Sequence, residues 1–251
     1  MTADSNLVLE ERRGNAVLLT LNRPERHHAL NQALSDALAG AIARASNDDS
    51  VACLVITGSG EKAFCAGADM VEMSGAGGEG STASGASRLY AAIDSAPMPV
   101  IAAINGYCFG GGARLAIGCD IRLAAEQASF RLPGSEYGLV VAAATLPRLV
   151  GAERAKDLIF TARRFTAAEA FSYGLLSAVY PQAELLPAAW AMAETIASHS
   201  PGAVRAAKQV IDAATLSDEA RQLEDEANRR LRGSDEQVAR FRDATRRVTG
   251  R

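Results

Sequence analysis

The chain has 251 residues, 48% of them hydrophobic and 22% charged, which excludes a disordered or fibrous protein and allows one substantial core without metal or disulfide support. Lys and Arg number 26 against 29 Asp and Glu, a net charge of −3, and the cations are scattered rather than gathered into a stripe, so a nucleic-acid partner is not expected. Cys53, Cys65, Cys108 and Cys119 form no CxxC pair and stand near no histidine at zinc spacing. That spacing predicts no metal site, and with no apolar stretch in Met1–Gly14 it points to a reduced, cytoplasmic setting.

In chain order, β-rich runs fall at Leu7–Glu11, Ala16–Leu21, Val51–Thr57, Val100–Ile104 and Ile121–Ala124. Helical periodicity appears between them, as in Gln32–Ala45 and Arg154–Thr161, and the alternation predicts α/β architecture. Asn31 reads as a helix cap, and Thr166 with Glu169 three residues on reads as a capping box. Met73–Ser87 is rich in Gly, Ser and Ala and too poor in apolar side chains to pack, which predicts a mobile loop with a lid as its expected role. Pro97–Gly118, the most apolar segment, is interrupted by Asn105, Arg114 and a glycine cluster, so no membrane span is expected. After Pro187 the strand signals stop, and helices are expected near Ala188–Ser198, Ala203–Ala214 and Asp218–Val248, the last broken near Gly233. The final stretch mixes charges of both signs and reads as a solvated helix face or an oligomer contact.

Two glycine-bearing segments, Ala63–Met70 (AFCAGADM) and Asn105–Leu115 (NGYCFGGGARL), each follow an apolar run and lead toward a helical pattern. Glycines at 110–112 let backbone approach a ligand closely and, at a helix start, offer unpaired N–H groups to negative charge; they also suit a tight turn with close helix–strand packing. No GK[ST] follows, so this is not a Walker A loop. Together with LNRPERHHALN (Leu21–Asn31), the continuation to Ala124 and FTAAEAFSYGLLSAVY (Phe165–Tyr180), these motifs make the chain resemble the crotonase (enoyl-CoA hydratase/isomerase) superfamily.

That resemblance implies a crotonase-like α/β core of repeated ββα units over residues 1–186 and a helical trimerisation region over 187–251. It also implies assembly as a homotrimer or hexamer (a dimer of trimers), and acyl-CoA thioesters of lipid metabolism as ligands, with coenzyme A as part of the substrate and no separate cofactor. Lyase or isomerase chemistry would run through an enolate held by an oxyanion hole made of the backbone N–H groups of Ala68 and Gly111. Substrate contacts are implied at Arg26, His28, Ala29, Ala66, Asp69, Met70, Phe109 and Pro133.

The chain departs from the family where protons move. Hydrating an enoyl thioester needs a base for water and an acid for the α-carbon, and the family's hydratases use two glutamates. Arg114 and Gly134 stand in those places here. Arginine cannot exchange protons near neutrality. Glu136, two residues beyond Gly134, is read as a relocated acid/base, a partner to Arg114 or a surface carboxylate, and a pairing with Arg114 is the expected arrangement. Ordinary hydratase activity is therefore doubted, and the alternative to an unusual enzyme is a non-catalytic acyl-CoA-binding protein.

Overall fold

The computed structural model describes residues 7–70, 72 and 81–249. Strands β1 (Val8–Arg13) and β2 (Ala16–Leu21) form an antiparallel hairpin, followed by helix α1 (Gln32–Ser46), β3 (Cys53–Gly58), β4 (Ala63–Cys65) and α2 (Ser81–Asp94). Next come β5 (Val100–Ile104), β6 (Tyr107–Phe109), α3 (Gly111–Gly118), β7 (Ile121–Ala125) and β8 (Ser129–Arg131). The remainder is α4 (Pro147–Val150), α5 (Ala152–Thr161), β9 (Phe165–Thr166), α6 (Ala167–Ser172), β10 (Ala178–Tyr180), α7 (Gln182–Ala197), α8 (Pro201–Thr215), α9 (Asp218–Leu231) and α10 (Asp235–Thr249).

The strands sort into a six-stranded sheet, β1-β2-β3-β5-β7-β10, and a four-stranded sheet, β4-β6-β8-β9. From β3 to β8 each successive pair sends its first strand to the larger sheet and its second to the smaller, which is the expected repeated unit; the last pair reverses it, with β9 in the smaller sheet and β10 in the larger. β3, β5 and β7 are parallel and covered on both faces, so they read as largely apolar runs rather than alternating ones, with Arg122 the buried charge in β7. Alternate residues still part company: Leu54, Ile56, Ala102 and Ile104 enter one core, and Cys53, Val55, Ile101 and Ala103 enter a second on the opposite face.

That second core is closed by Leu185, Ala189, Trp190 and Ala193 of α7. The helix was expected from Ala188 but starts at Gln182, and Pro187 sits inside it. Thus the expected boundary between residues 186 and 187 falls within a helix that packs on the sheet, because the apolar face of α7 buries the strands' far side. Asn31 caps α1 by accepting from the Leu34 amide at 2.9 Å, and Thr166 with Glu169 forms the capping box of α6. The long terminal helix is two, α9 and α10, broken at Gly233 with φ +78°.

The expected loop at Met73–Ser87 is partly corrected: Ser81–Ser87 begins α2, whose Leu89 and Ile93 bury an apolar stripe, while 73–80 lie outside the described residues. Among the described residues no helix is long and apolar enough to cross a membrane.

Candidate functional site

Strands β4, β6 and β8 lie side by side and parallel, so their C-terminal ends open on one edge of the small sheet. There the chain runs from β4 into Ala66–Met70, from β6 into Gly110 and α3, and from β8 into Pro133 and Gly134. Ligand crevices of open α/β sheets sit at such strand ends. A cavity of about 1130 Å³ opens here, its wall including Ala66, Ala68, Met70, Phe109, Gly111 and Pro133.

Two backbone amides face it. Ala68 makes a parallel bridge to Leu30 in which Leu30 donates to Gly67 O (2.7 Å) and Asp69 donates to Leu30 O (3.0 Å), so the Ala68 N–H itself is turned away from that partner. Gly111 opens α3, where the first N–H groups have no partner within the helix. A methyl group placed on Gly111 would lie only 3.6 Å from Ala68 N, and among the described residues neither amide is engaged by an acceptor.

The glycines are dictated by this closeness. Gly110 has φ +52°, a left-handed backbone. A Cβ on Gly112 would sit 2.2 Å from the Cys65 carbonyl oxygen, so α3 could not lie against β4 with any side chain there.

Beneath this pair stands Tyr90 of α2, whose hydroxyl donates to Gly111 O at 3.2 Å; burial pushes its phenol well above the ordinary range. Arg114, one turn into α3, points to the same place. Its guanidinium lies 5.1 Å over the Tyr90 ring and donates twice to Asp94, at 2.6 and 3.3 Å. Burial opposes the guanidinium's charge, but the Asp94 carboxylate outweighs it and raises the Arg114 pKa.

The expected Arg114–Glu136 pair does not form. Glu136 sits on a short 3-10 turn, is held by Arg131 and by Arg247 (3.2 Å), and is not part of the cavity wall. Of its three readings, neither the relocated acid/base nor the Arg114 partner fits this position. Its neighbour Tyr137 does line the cavity, packed edge-on to Phe241, with burial raising its hydroxyl pKa. Gly134 also lines it, and a Cβ there would meet Leu139 O and Val141 Cγ2, both at 2.9 Å.

Four expected substrate contacts, Arg26, His28, Ala29 and Asp69, lie outside the cavity wall. His28 is 1% exposed and holds the turn from inside, its Nδ1 accepting from the Arg23 amide and its Nε2 meeting Ser59 O, both at 3.0 Å. The Asp69 carboxylate accepts from Arg23 at 3.1 Å, fixing the turn that carries Ala68. Arg26 is exposed on that turn, and neither it nor Ala29 lines the cavity. Cys65 donates to His28 O, and burial raises its thiol to about 12, so it is core filling rather than a nucleophile.

Sequence reasoning missed Tyr90, Asp94 and Glu224 in the cavity wall. The apolar pair Leu89 and Ile93, with Tyr90 and Asp94 at the same four-residue step beside them, is a helical signal for the first two. Glu224 lies in a stretch whose mixed charges look solvated. Instead its carboxylate accepts from the amides of Ala142 and Ala144 at 2.9 and 2.7 Å.

A family model described as enoyl-CoA hydratase/isomerase matches residues 11–244. Among curated proteins, the crotonyl-CoA hydratase of Syntrophomonas wolfei is 38% identical over 233 residues, covering 90% of this chain and 88% of that one. The short-chain-enoyl-CoA hydratase of Clostridium acetobutylicum is 38% identical over 218 residues, 82% of this chain and 81% of its own. A solved enoyl-CoA hydratase/isomerase from Pseudoalteromonas atlantica superposes with a TM-score of 0.86 at 30% identity, covering 95% and 97%.

Proposed function

The chain belongs to the enoyl-CoA hydratase/isomerase family, and from that premise we propose that it binds an acyl-CoA thioester and transforms it through an enolate, without being an ordinary hydratase. The observation that carries this reading is the pair of unengaged amides, Ala68 and Gly111, facing one cavity. A thioester oxygen seated between them gains negative charge as the α-carbon becomes enolate-like. Fixed donors in a dry site stabilise that charge better than water, each contributing about 2.7–4 kcal/mol to the barrier in comparable sites.

The doubt about hydration rests on Arg114 and Gly134. Arg114 carries no exchangeable proton near neutrality, and its partner Asp94 is engaged in holding it. Losing a general acid or base costs on the order of 10²–10⁴-fold. The same observation favours a second reading, an acyl-CoA-binding protein without turnover.

Calorimetry and NMR in D2O separate these. Butyryl-CoA is expected to bind, crotonyl-CoA to hydrate well below about 10 s⁻¹, and α-hydrogen exchange on the bound thioester to mark the enzyme reading. Binding without any exchange or turnover supports the second reading. No binding at millimolar ligand by folded protein removes both.

We also propose a homotrimer or hexamer, supported by α8, which has no buried residue and exposes Val210 and Ile211 by 68% and 59%. The four cysteines, all free and buried, support a reducing, cytoplasmic setting.

A further inference from the structure

Helix α9 forms one wall of the cavity, and its position is fixed by its own polar side chains. Glu224 accepts from Ala142 and Ala144, while Asn228 accepts from the Val140 amide at 2.9 Å and donates to the Val140 carbonyl at 2.8 Å. These contacts clamp the helix to the loop that closes the cavity beyond Pro133 and Gly134. Residues 221, 225, 228 and 232 recur at the spacing of one helical face, and all four line the cavity together with Arg229. The face offers Arg, Asp, Asn and Arg, with no apolar side chain, in a cavity that is also lined by apolar groups such as Leu139, Val141 and Phe241.

The charges on that wall do not cancel. Arg114 is matched by Asp94, and Glu224 is committed to two amides. Arg221 has Asp218 at 3.8 Å, outside hydrogen-bond reach, and its buried Nε meets no acceptor among the described residues. Arg229 reaches Glu226 only at 4.0 Å. Arg232 has no carboxylate within ion-pair distance among the described residues, and its field reaches Tyr90 beside the Gly111 amide. Asp225 stands one turn from both Arg221 and Arg229 and forms an ion pair with neither among the described residues. A surplus of guanidinium donors therefore faces the space that an acyl group would enter.

We infer that the acyl group of the substrate ends in a carboxylate, which docks on a guanidinium of the α9 wall, Arg232 or Arg221. This rests on the CoA-thioester reading and narrows it. A guanidinium fork suits a carboxylate by geometry as well as by charge.

The test is calorimetric titration of the full chain with butyryl-CoA, succinyl-CoA and glutaryl-CoA, repeated with the Arg221→Gln/Arg232→Gln double variant. The wild-type protein is expected to bind at least one carboxylated thioester about tenfold or more tighter than butyryl-CoA, with the advantage shrinking as salt rises. In the double variant that advantage should vanish, while butyryl-CoA affinity changes by less than about twofold. Equal or tighter binding of butyryl-CoA by the wild type overturns the inference and leaves the thioester reading intact. So does a double variant that weakens all three ligands alike. Failure of all three to bind refutes the thioester reading itself, and this inference with it.

Discussion

Arg114→Glu places a carboxylate where the family resemblance implies a hydratase glutamate, and the structure predicts that it unfolds the protein more readily instead of making a hydratase. The wild-type guanidinium lies 2.6 Å from Asp94, with side chains 15% and 28% exposed. At that burial the pair is not a solvated surface bridge of less than about 1 kcal/mol. Removing one partner leaves an uncompensated, largely dry charge, which costs about 3–5 kcal/mol. A glutamate adds repulsion to that loss, and the contact with the Tyr90 ring, about 0.5–2 kcal/mol, goes as well. Taking about 3 kcal/mol as the lower figure, and about 2–4 °C per kcal/mol for a chain of this size, the melting temperature should fall by roughly 6–12 °C.

The matched variant is Arg114→Glu/Asp94→Asn, which removes the new repulsion and leaves one unpaired carboxylate in place of two, and should recover part of the loss. Thermal melts and urea titrations of the wild type, both singles and the double make a complete cycle. A single variant melting within about 2 °C of wild type would refute the reasoning, because the pair would then be worth no more than an exposed one. So would a double variant no more stable than the single, since Asp94 would not then be the partner that matters.

Two further substitutions test the frame that holds the amides. Gly112→Ala drives a methyl group to 2.2 Å from the Cys65 carbonyl, and backbone cannot rotate away as a side chain would. It should cost about 3 kcal/mol or more in urea titration and abolish butyryl-CoA binding, whereas Gly202→Ala, with open space around it, should leave the melt unchanged or slightly raised. His28 is held in its neutral form, since burial lowers its pKa and its Nδ1 must accept from the Arg23 amide. The unfolded chain therefore binds a proton that the folded chain refuses. Stability should be flat above about pH 7 and fall as pH drops below about 6.5, with His28→Asn removing that part of the slope; equal slopes in the two proteins would show that His28 does not carry it.

Much of the architecture was legible because β-runs and helical periods differ so plainly in this chain. Val100–Ile104 reads as a strand since both its faces are buried, and Asn31 as a cap since its side chain has a defined acceptor role. The two glycine segments at the cavity were legible because close backbone packing demands glycine, and glycine shows in the sequence. What stayed hidden were partners chosen by side chains far apart in the chain. Nothing in the order of residues says that Arg114 reaches back to Asp94, or that Glu136 is taken by Arg131 and Arg247. Helix α9 misled for another reason: a charged stripe lining a cavity has the same composition as one facing water.

The two family positions that lack glutamate are not gaps in an otherwise unchanged site. At the first, Arg114, Asp94 and Tyr90 form a closed set in which each group has a stated partner, and the Tyr90 hydroxyl in turn fixes the carbonyl of Gly111. A glutamate there would release Asp94 and disturb Tyr90, whose hydroxyl holds the Gly111 carbonyl at the cavity. At the second, Gly134 lets the chain fold back so that the Leu139 amide donates to its carbonyl at 2.8 Å, and Val141 closes over it. A glutamate at 134 would have to displace that loop, and with it the amides of Val140, Ala142 and Ala144 that anchor α9. Each substitution is thus locked to a different wall of the cavity. The site could return to a pair of carboxylates only by giving up the α9 wall, which is why a substrate matched to that wall is the more economical account of this chain.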